Sequence, residues 1–321
     1  MKIKRVTGLA IVAALALATA ACSGAGGKAA TNDSGVTTLR LNYPPSLSIA
    51  ALHIAEDQGL FEKENLKIET KQNLTAGAAA EAVMGGQVDL AWNNVAGAAT
   101  AYASGIPLRL VGITDYQTPD NMQVLVPKDS TISDLAGLQG HSVAVLAPNT
   151  TCVLAIKAAM EAQGLDSGTV TFEVVAPGDH PTVLSAGKVD ATCTIDPIRA
   201  QMIDELGAKP IFDVTDSSLG AFPVGGFITS KTFADNNAQA LESFVKVLAE
   251  ASQMANDDPD LAREVLEKHG ELDSKLADKV TLTKYATDPQ DVEAVKALAE
   301  HMLTYGAVTS QVDVDGFFGK H

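Results

Sequence analysis

The sequence is poor in aromatic residues and in cysteine. Phe, Trp and Tyr make up 5% of 321 residues while 46% are hydrophobic, and there is a single Trp. A core with so few rings must be packed from Ala, Val and Leu, which suits alternating helices and strands. Three cysteines, none in a C-x-x-C, exclude a disulfide-rich scaffold and a paired-thiol motif. The six histidines are scattered without an i,i+4 pair, so neither a zinc site nor any other metal or cofactor is expected. Gly-x-Ser-x-Gly, His-Glu-x-x-His and the Gly-x4-Gly-Lys-Ser/Thr phosphate loop are all missing. No segment reaches the roughly 20 uninterrupted apolar residues of a membrane-spanning helix.

What is present begins at the N terminus. Lys2, Lys4 and Arg5 precede an apolar run from Leu9 to Ala18 and then Thr19-Ala20-Ala21-Cys22. A charged start, a short apolar stretch and small residues before a cut describe a secretory signal, residues 1–21. Small-small-Cys resembles the bacterial lipobox, which implies cleavage before Cys22 and lipidation of its thiol. Thr19 departs from that pattern, which prefers Leu there; the alternative is ordinary cleavage with Cys22 left as a free thiol. Residues 22–35 are rich in Gly, Ala, Ser, Asn and Thr and read as a flexible tether. Removing the signal leaves 20 basic against 39 acidic residues, a net charge of −19. That balance argues against nucleic-acid binding and says nothing about charge inside a cleft.

A weak internal echo lies about a hundred residues apart. The first copy runs from the strand Leu39-Arg40-Leu41-Asn42-Tyr43 and Pro44 through a helix ending at Gln58-Gly59-Leu60. A strand around Leu66 to Glu69, an Ala-rich helix and Gly86-Gln87-Val88-Asp89-Leu90-Ala91 complete it. The second copy has Ser142 to Leu146, Pro148, a helix ending at Gln163-Gly164-Leu165, a strand from Val170 to Val175, and Gly187-Lys188-Val189-Asp190-Ala191-Thr192. Each copy is strand, helix, strand, helix, strand, which predicts two doubly wound α/β lobes with parallel sheets. Crossings at Asp115 to Asn121 and Phe222 to Ile228 predict a two-strand hinge. Lobe one is then 36–116 with 222–321, and lobe two is 117–221. Helices are expected at about 236–256, 259–268, 273–285 and 289–304, with Asp258-Pro259 and Asp288-Pro289 at helix starts.

Ile54 to Phe61, Ala82 to Ala91, Ile132 to Gly137 and Leu241 to Ala255 resemble, in order, the nitrate/sulfonate/taurine and pyrimidine-precursor binding proteins of ABC importers. The resemblance implies a type 2 periplasmic-binding-protein architecture. It also implies a non-enzymatic, monomeric protein that is lipid-anchored at the outer face of the membrane. Such a protein captures a small molecule and delivers it to a permease and its ATPase. An enzyme of the same fold acting on a pyrimidine-like molecule, and a structural or adhesion lipoprotein, are the competing classes.

In parallel sheets ligands sit beyond the carboxyl ends of the strands, where helix starts supply N–H groups. Those ends nominate Ser46, Thr75, Trp92, Asn93 and Asn94 in lobe one, and Asn149, Thr150, Thr151 and Asp196 in lobe two. Asp115, Tyr116 and Phe222 lie at the crossings. Each has a structural alternative: Trp92 as core, the Asn and Thr residues as helix caps, and Asp196 as the cap before Pro197. His53 and His180 are explained by helix positions. No Lys or Arg lies in these segments, and an inward Asp115 or Asp196 would repel an inorganic anion, which favours a ligand carrying an N–H or ammonium group. Cys152 and Cys193 are either bridged, if the first and third strands of lobe two are neighbours, or two free thiols.

A lipid on Cys22 makes a simple prediction. The Cys22→Ala protein leaves the membrane fraction in cell fractionation; retention equal to that of the parent would remove the anchor.

Overall fold

The structure is a computed structural model that describes residues 27–71 and 78–320. Cys22, the signal region and Thr75 lie outside the described residues.

The first sheet contains β1 (Ala30–Thr31), β2 (Thr37–Asn42), β3 (Leu66–Lys71), β4 (Leu90–Asn94), β5 (Leu108–Ile113) and β12 (Gly225–Ser230). Its parallel centre is β3-β2-β4. β12 follows β4 and is antiparallel both to it and to β5. The second sheet contains β7 (Met122–Val126), β8 (Ser142–Val145), β9 (Thr171–Val174), β10 (Ala191–Ile195) and β11 (Lys209–Asp213). Here the parallel centre is β9-β8-β10, with β7 antiparallel to β10 and β11. The orders β3-β2-β4-β12-β5 and β9-β8-β10-β7-β11 are the same order twice.

The expected parallel sheets are therefore mixed, and the reason is connectivity. Each crossing arrives from the other lobe and enters its sheet running opposite to the resident strands. A crossing strand needs no helical return, so it can sit antiparallel beside β4 or β10.

The echoed motifs have matching structural jobs. Gly59 and Gly164 both take the left-handed conformation, φ +63° and +71°, where the chain leaves a helix. Asp89 Oδ2 accepts the backbone N–H of Arg40 at 2.8 Å, and Asp190 Oδ2 accepts that of Ser142 at 2.8 Å. Each Gly-x-Val-Asp thus ties the approach to its third strand to the first strand of the lobe.

Lobe one is closed by the helix Ala238–Asp257, which packs on the helix Ala50–Asp57 through an apolar stripe including Leu241, Phe244, Leu248 and Ala251. Phe244 meets Phe61 and Phe227 with ring centroids 5.7 and 5.3 Å apart.

Three expectations shift. The helix predicted at 273–285 is turns followed by β13 (Lys284–Tyr285). The run Val280-Thr281-Leu282-Thr283 alternates with period two and is β-branched at three of its four positions, which favours extended chain. The helix expected at 289–304 starts at Val292, capped by Asp291, not behind Asp288-Pro289. The end of the presumed tether is fastened: β1 pairs with β2, and Ala29 N–H donates to Asn237 Oδ1 at 2.8 Å.

β8 and β10 are parallel neighbours, and Cys152 and Cys193 are joined in a disulfide with Cα atoms 6.3 Å apart. The bridge closes a loop with a sequence separation of 41. Its reduction should lower unfolding free energy by about 3–4 kcal/mol. Denaturation with and without reductant checks this, together with thiol labelling of the denatured, unreduced chain. Two reactive cysteines in that chain would refute the bridge.

Candidate functional site

The carboxyl ends of the parallel strands meet at the crossings. At the end of β4, Val95 N–H donates to Val224 O at 3.0 Å; at the end of β10, Asp196 N–H donates to Asn121 O at 3.0 Å. The two crossings pair with each other through Thr114 N–H to Gly225 O, Val224 N–H to Asp115 O and Gln117 N–H to Phe222 O. β6 (Asp115–Tyr116) also pairs with β13, so a third segment braces the expected two-strand hinge.

Asp115 sits at the centre of this hinge with no exposed surface. Its Oδ1 accepts from Thr114 Oγ1 (2.8 Å) and Gly225 N–H (3.2 Å), and its Oδ2 from Ser48 Oγ (2.9 Å) and Thr283 Oγ1 (2.7 Å). The Thr283 hydroxyl also lies 2.6 Å from Tyr116 O. One hydroxyl hydrogen cannot serve two acceptors well, and a proton on Asp115 completes the set. Burial pushes the Asp115 carboxyl above the usual carboxylate range, against the four donors around it.

Trp92 belongs to the same assembly. β4 extends to Asn94, so Trp92 lies inside the strand and not at its end; it is 8% exposed, and its Nε1–H donates to Thr114 Oγ1 at 3.1 Å. Its ring lies flat on Gly225, where any Cβ would collide with it. The indole is a wall of the hinge rather than an open stacking platform.

Asp196 is likewise engaged. It is 4% exposed, and Arg199 grips both oxygens, Nε to Oδ1 at 3.1 Å and Nη2 to Oδ2 at 3.0 Å. Ala200 N–H donates to Oδ1 at 2.9 Å, and Thr281 N–H donates to Oδ2 at 2.6 Å. Burial pushes its pKa up while the guanidinium and the two N–H groups pull it down. Asp196 thereby fastens lobe two to the segment leading into β13. Neither acid presents a bare charge to a cleft, which removes the basis for preferring an ammonium-bearing ligand.

The remaining candidates divide. Asn94 caps the helix Val95–Ala103, accepting Gly97 N–H at 3.2 Å and donating to Val224 O at 3.0 Å. Thr150 Oγ1 donates to Ala147 O, and Tyr116 OH to Asp291 Oδ2. Ser46 Oγ accepts Ser48 N–H, and its own N–H donates to Glu271 Oε2 at 2.9 Å. Phe222 is buried in the core. Asn93 lies in β4 one residue before its end, Asn149 lies in the turn after β8, and Thr151 opens the helix Thr151–Ala162. Reading the sequence missed Ser48, Thr114, Thr283, Arg199 and Thr281. Only the alternating threonines before β13 carried a local signal.

Two αβ lobes of matching strand order, joined by crossing strands, constitute the periplasmic-binding-protein fold. The alkanesulfonate-binding protein SsuA from Xanthomonas axonopodis pv. citri, solved bound to MOPS, superposes with a TM-score of 0.71 at 20% identity, covering 90% of this chain and 99% of that one. The periplasmic nitrate-binding protein NrtA from Synechocystis PCC 6803 gives 0.70 at 15% identity over 88% and 85%. In sequence, a putative aliphatic sulfonates-binding protein of Escherichia coli (strain K12) is 25% identical over 225 residues, 69% of this chain and 68% of that protein. The chain belongs to the NMT1-like family, whose model matches residues 32–268.

A buried Asp115 with a raised pKa makes a paired prediction. Because its native pKa lies above its unfolded value, the native state holds the extra proton. Its contribution to stability is full below pH about 4 and is lost as pH rises through the native pKa. Asp115→Asn should therefore gain on the wild type as pH rises. Asp115→Ala leaves its donors without an acceptor and should lose at least about 3 kcal/mol. Urea unfolding of all three proteins across pH checks this; an Asn-to-wild-type difference independent of pH would show Asp115 to be ionised.

Proposed function

We propose that this chain is the extracytoplasmic solute-binding subunit of an ABC importer. It captures a small organic anion of the sulfonate class between its lobes and hands it to the permease, acting as a monomer tethered through lipidated Cys22. The observation that carries the ligand class is the disposal of charge at the strand ends. Asp115 is ringed by donors and Asp196 is paired with Arg199, while Asn93 and Thr151 place neutral polar side chains beside the starts of the helices Val95–Ala103 and Thr151–Ala162. Backbone N–H groups and hydroxyls at helix starts hold an oxyanion without a cationic side chain. The sulfonate-binding relatives support the same reading.

Closure needs contacts from both lobes, because a ligand touching one lobe has no preference for the closed form. Lobe one contributes Asn93 and lobe two Thr151, and the hinge strands between them absorb the rotation. Trp92, bonded to Thr114 within that hinge, reports closure through its fluorescence. As a binder, the protein returns its ligand unchanged, which separates this reading from an enzyme of the same fold.

A thermal-shift panel of an alkanesulfonate, taurine, nitrate and an aminopyrimidine tests the proposal. A sulfonate at a hundred times its Kd should stabilise the protein by about 2.7 kcal/mol. Asn93→Ala should weaken it by about 0.5–1.5 kcal/mol, up to roughly tenfold in Kd. Stabilisation by the aminopyrimidine or nitrate alone would overturn the sulfonate assignment.

A further inference from the structure

His53 and His269, 216 positions apart in the chain, lie face to face with ring centroids 3.8 Å apart and planes 13° from parallel. His53 is carried by the helix Ala50–Asp57 and has no exposed surface; His269 follows the helix Pro259–Lys268 and is 27% exposed. Three carboxylates converge on them. Glu56 Oε2 is 3.2 Å from His53 Nδ1, Glu271 Oε1 is 3.7 Å from His53 Nε2, and Asp57 Oδ1 is 3.3 Å from His269 Nε2. Lys268 pairs with one of them, its Nζ 2.8 Å from Asp57 Oδ2.

We propose that His53, His269 and Glu56 bind a divalent cation of the zinc class, with Glu271 and Asp57 orienting the two histidines. One donor atom from each of the three ligands falls within 4.8 Å of the others. Two ligand atoms each about 2.0–2.1 Å from a tetrahedral zinc stand about 3.3–3.4 Å apart, close to the spacing of the His53–Glu56 pair. Imidazole and carboxylate donors suit zinc, nickel and copper better than magnesium or calcium.

The second nitrogen of His53 supports the assignment. Nε2 is buried without a hydrogen bond of normal length, and Glu271 Oε1 waits 3.7 Å away. A metal on Nδ1 fixes the proton on Nε2 and draws it toward Glu271, the carboxylate–histidine–metal arrangement that stabilises bound zinc. Stacked rings cannot both aim lone pairs at one ion, so the exposed His269 ring turns edge-on to admit it while His53 stays fixed by its packing. Water supplies the fourth ligand. Glu271 also accepts Ser46 N–H through Oε2, so the ion would brace the loop that follows β2 at the strand ends.

The test uses the mature protein without a polyhistidine tag, dialysed against chelator. Zinc titration by calorimetry should give one site, and Co2+ should give the intense visible bands of a four-coordinate complex. His269→Ala should lower zinc affinity at least a hundredfold and erase the Co2+ bands, and Asp57→Asn should lower affinity about 10–100-fold. His301→Ala, which lies outside the cluster, should match the wild type. Thermal melts without metal verify that the variants fold, and Glu56→Gln stands in if His269→Ala does not. A folded wild type that binds zinc no better than folded His269→Ala, or Co2+ spectra that stay weak and six-coordinate, would overturn the site.

Discussion

A buried carboxyl group organises the hinge on which everything else turns. Asp115 draws Ser48 from the loop after β2, Thr114 from its own crossing, Gly225 from the returning crossing and Thr283 from the segment before β13. Four stretches of chain thus share one acceptor pair in a place water does not reach. Leaving any of these donors unpaired there costs free energy, so the segments are held in register with one another. Through Thr114 the same network reaches Trp92, and through Gly225 it fixes the backbone on which that indole lies. Burial raises the pKa of the carboxyl, which lessens the cost of burying a charge there.

The second fixed point is the pairing of Asp196 with Arg199, and it acts across the lobes. Both oxygens are filled by donors, one of them from Thr281. With these acids engaged, the polar side chains at the strand ends are neutral amides and hydroxyls.

Much of the architecture was legible because it rests on local chemistry. Gly59 and Gly164, with Asp89 and Asp190, announced two copies of one unit, and the structure gives them equivalent roles in the two sheets. The neighbouring β8 and β10 that bring Cys152 beside Cys193 follow from the same unit. Local reading failed where neighbours in space outweighed neighbours in sequence. Residues 273–285 looked helical by composition, yet Thr283 is needed at Asp115 and Lys284–Tyr285 pair with β6. Trp92 was expected just past its strand, but β4 runs on to Asn94 and bonds the indole to Thr114.

The sequence by itself determined the signal-like start, the duplicated strand–helix units, the positions of the crossings and the two-lobed class. Each depends on spacing and periodicity within a few tens of residues. Only the tertiary structure decided that β7 and β12 run antiparallel in sheets built by the opposite lobe. It alone consumed Asp115 and Asp196 internally and laid His53 against His269. Ser48 and Thr283 reach Asp115 from 67 residues before it and 168 after it. No local pattern encodes such a meeting, because the energy that rewards it appears only once burial has removed water from all the partners together.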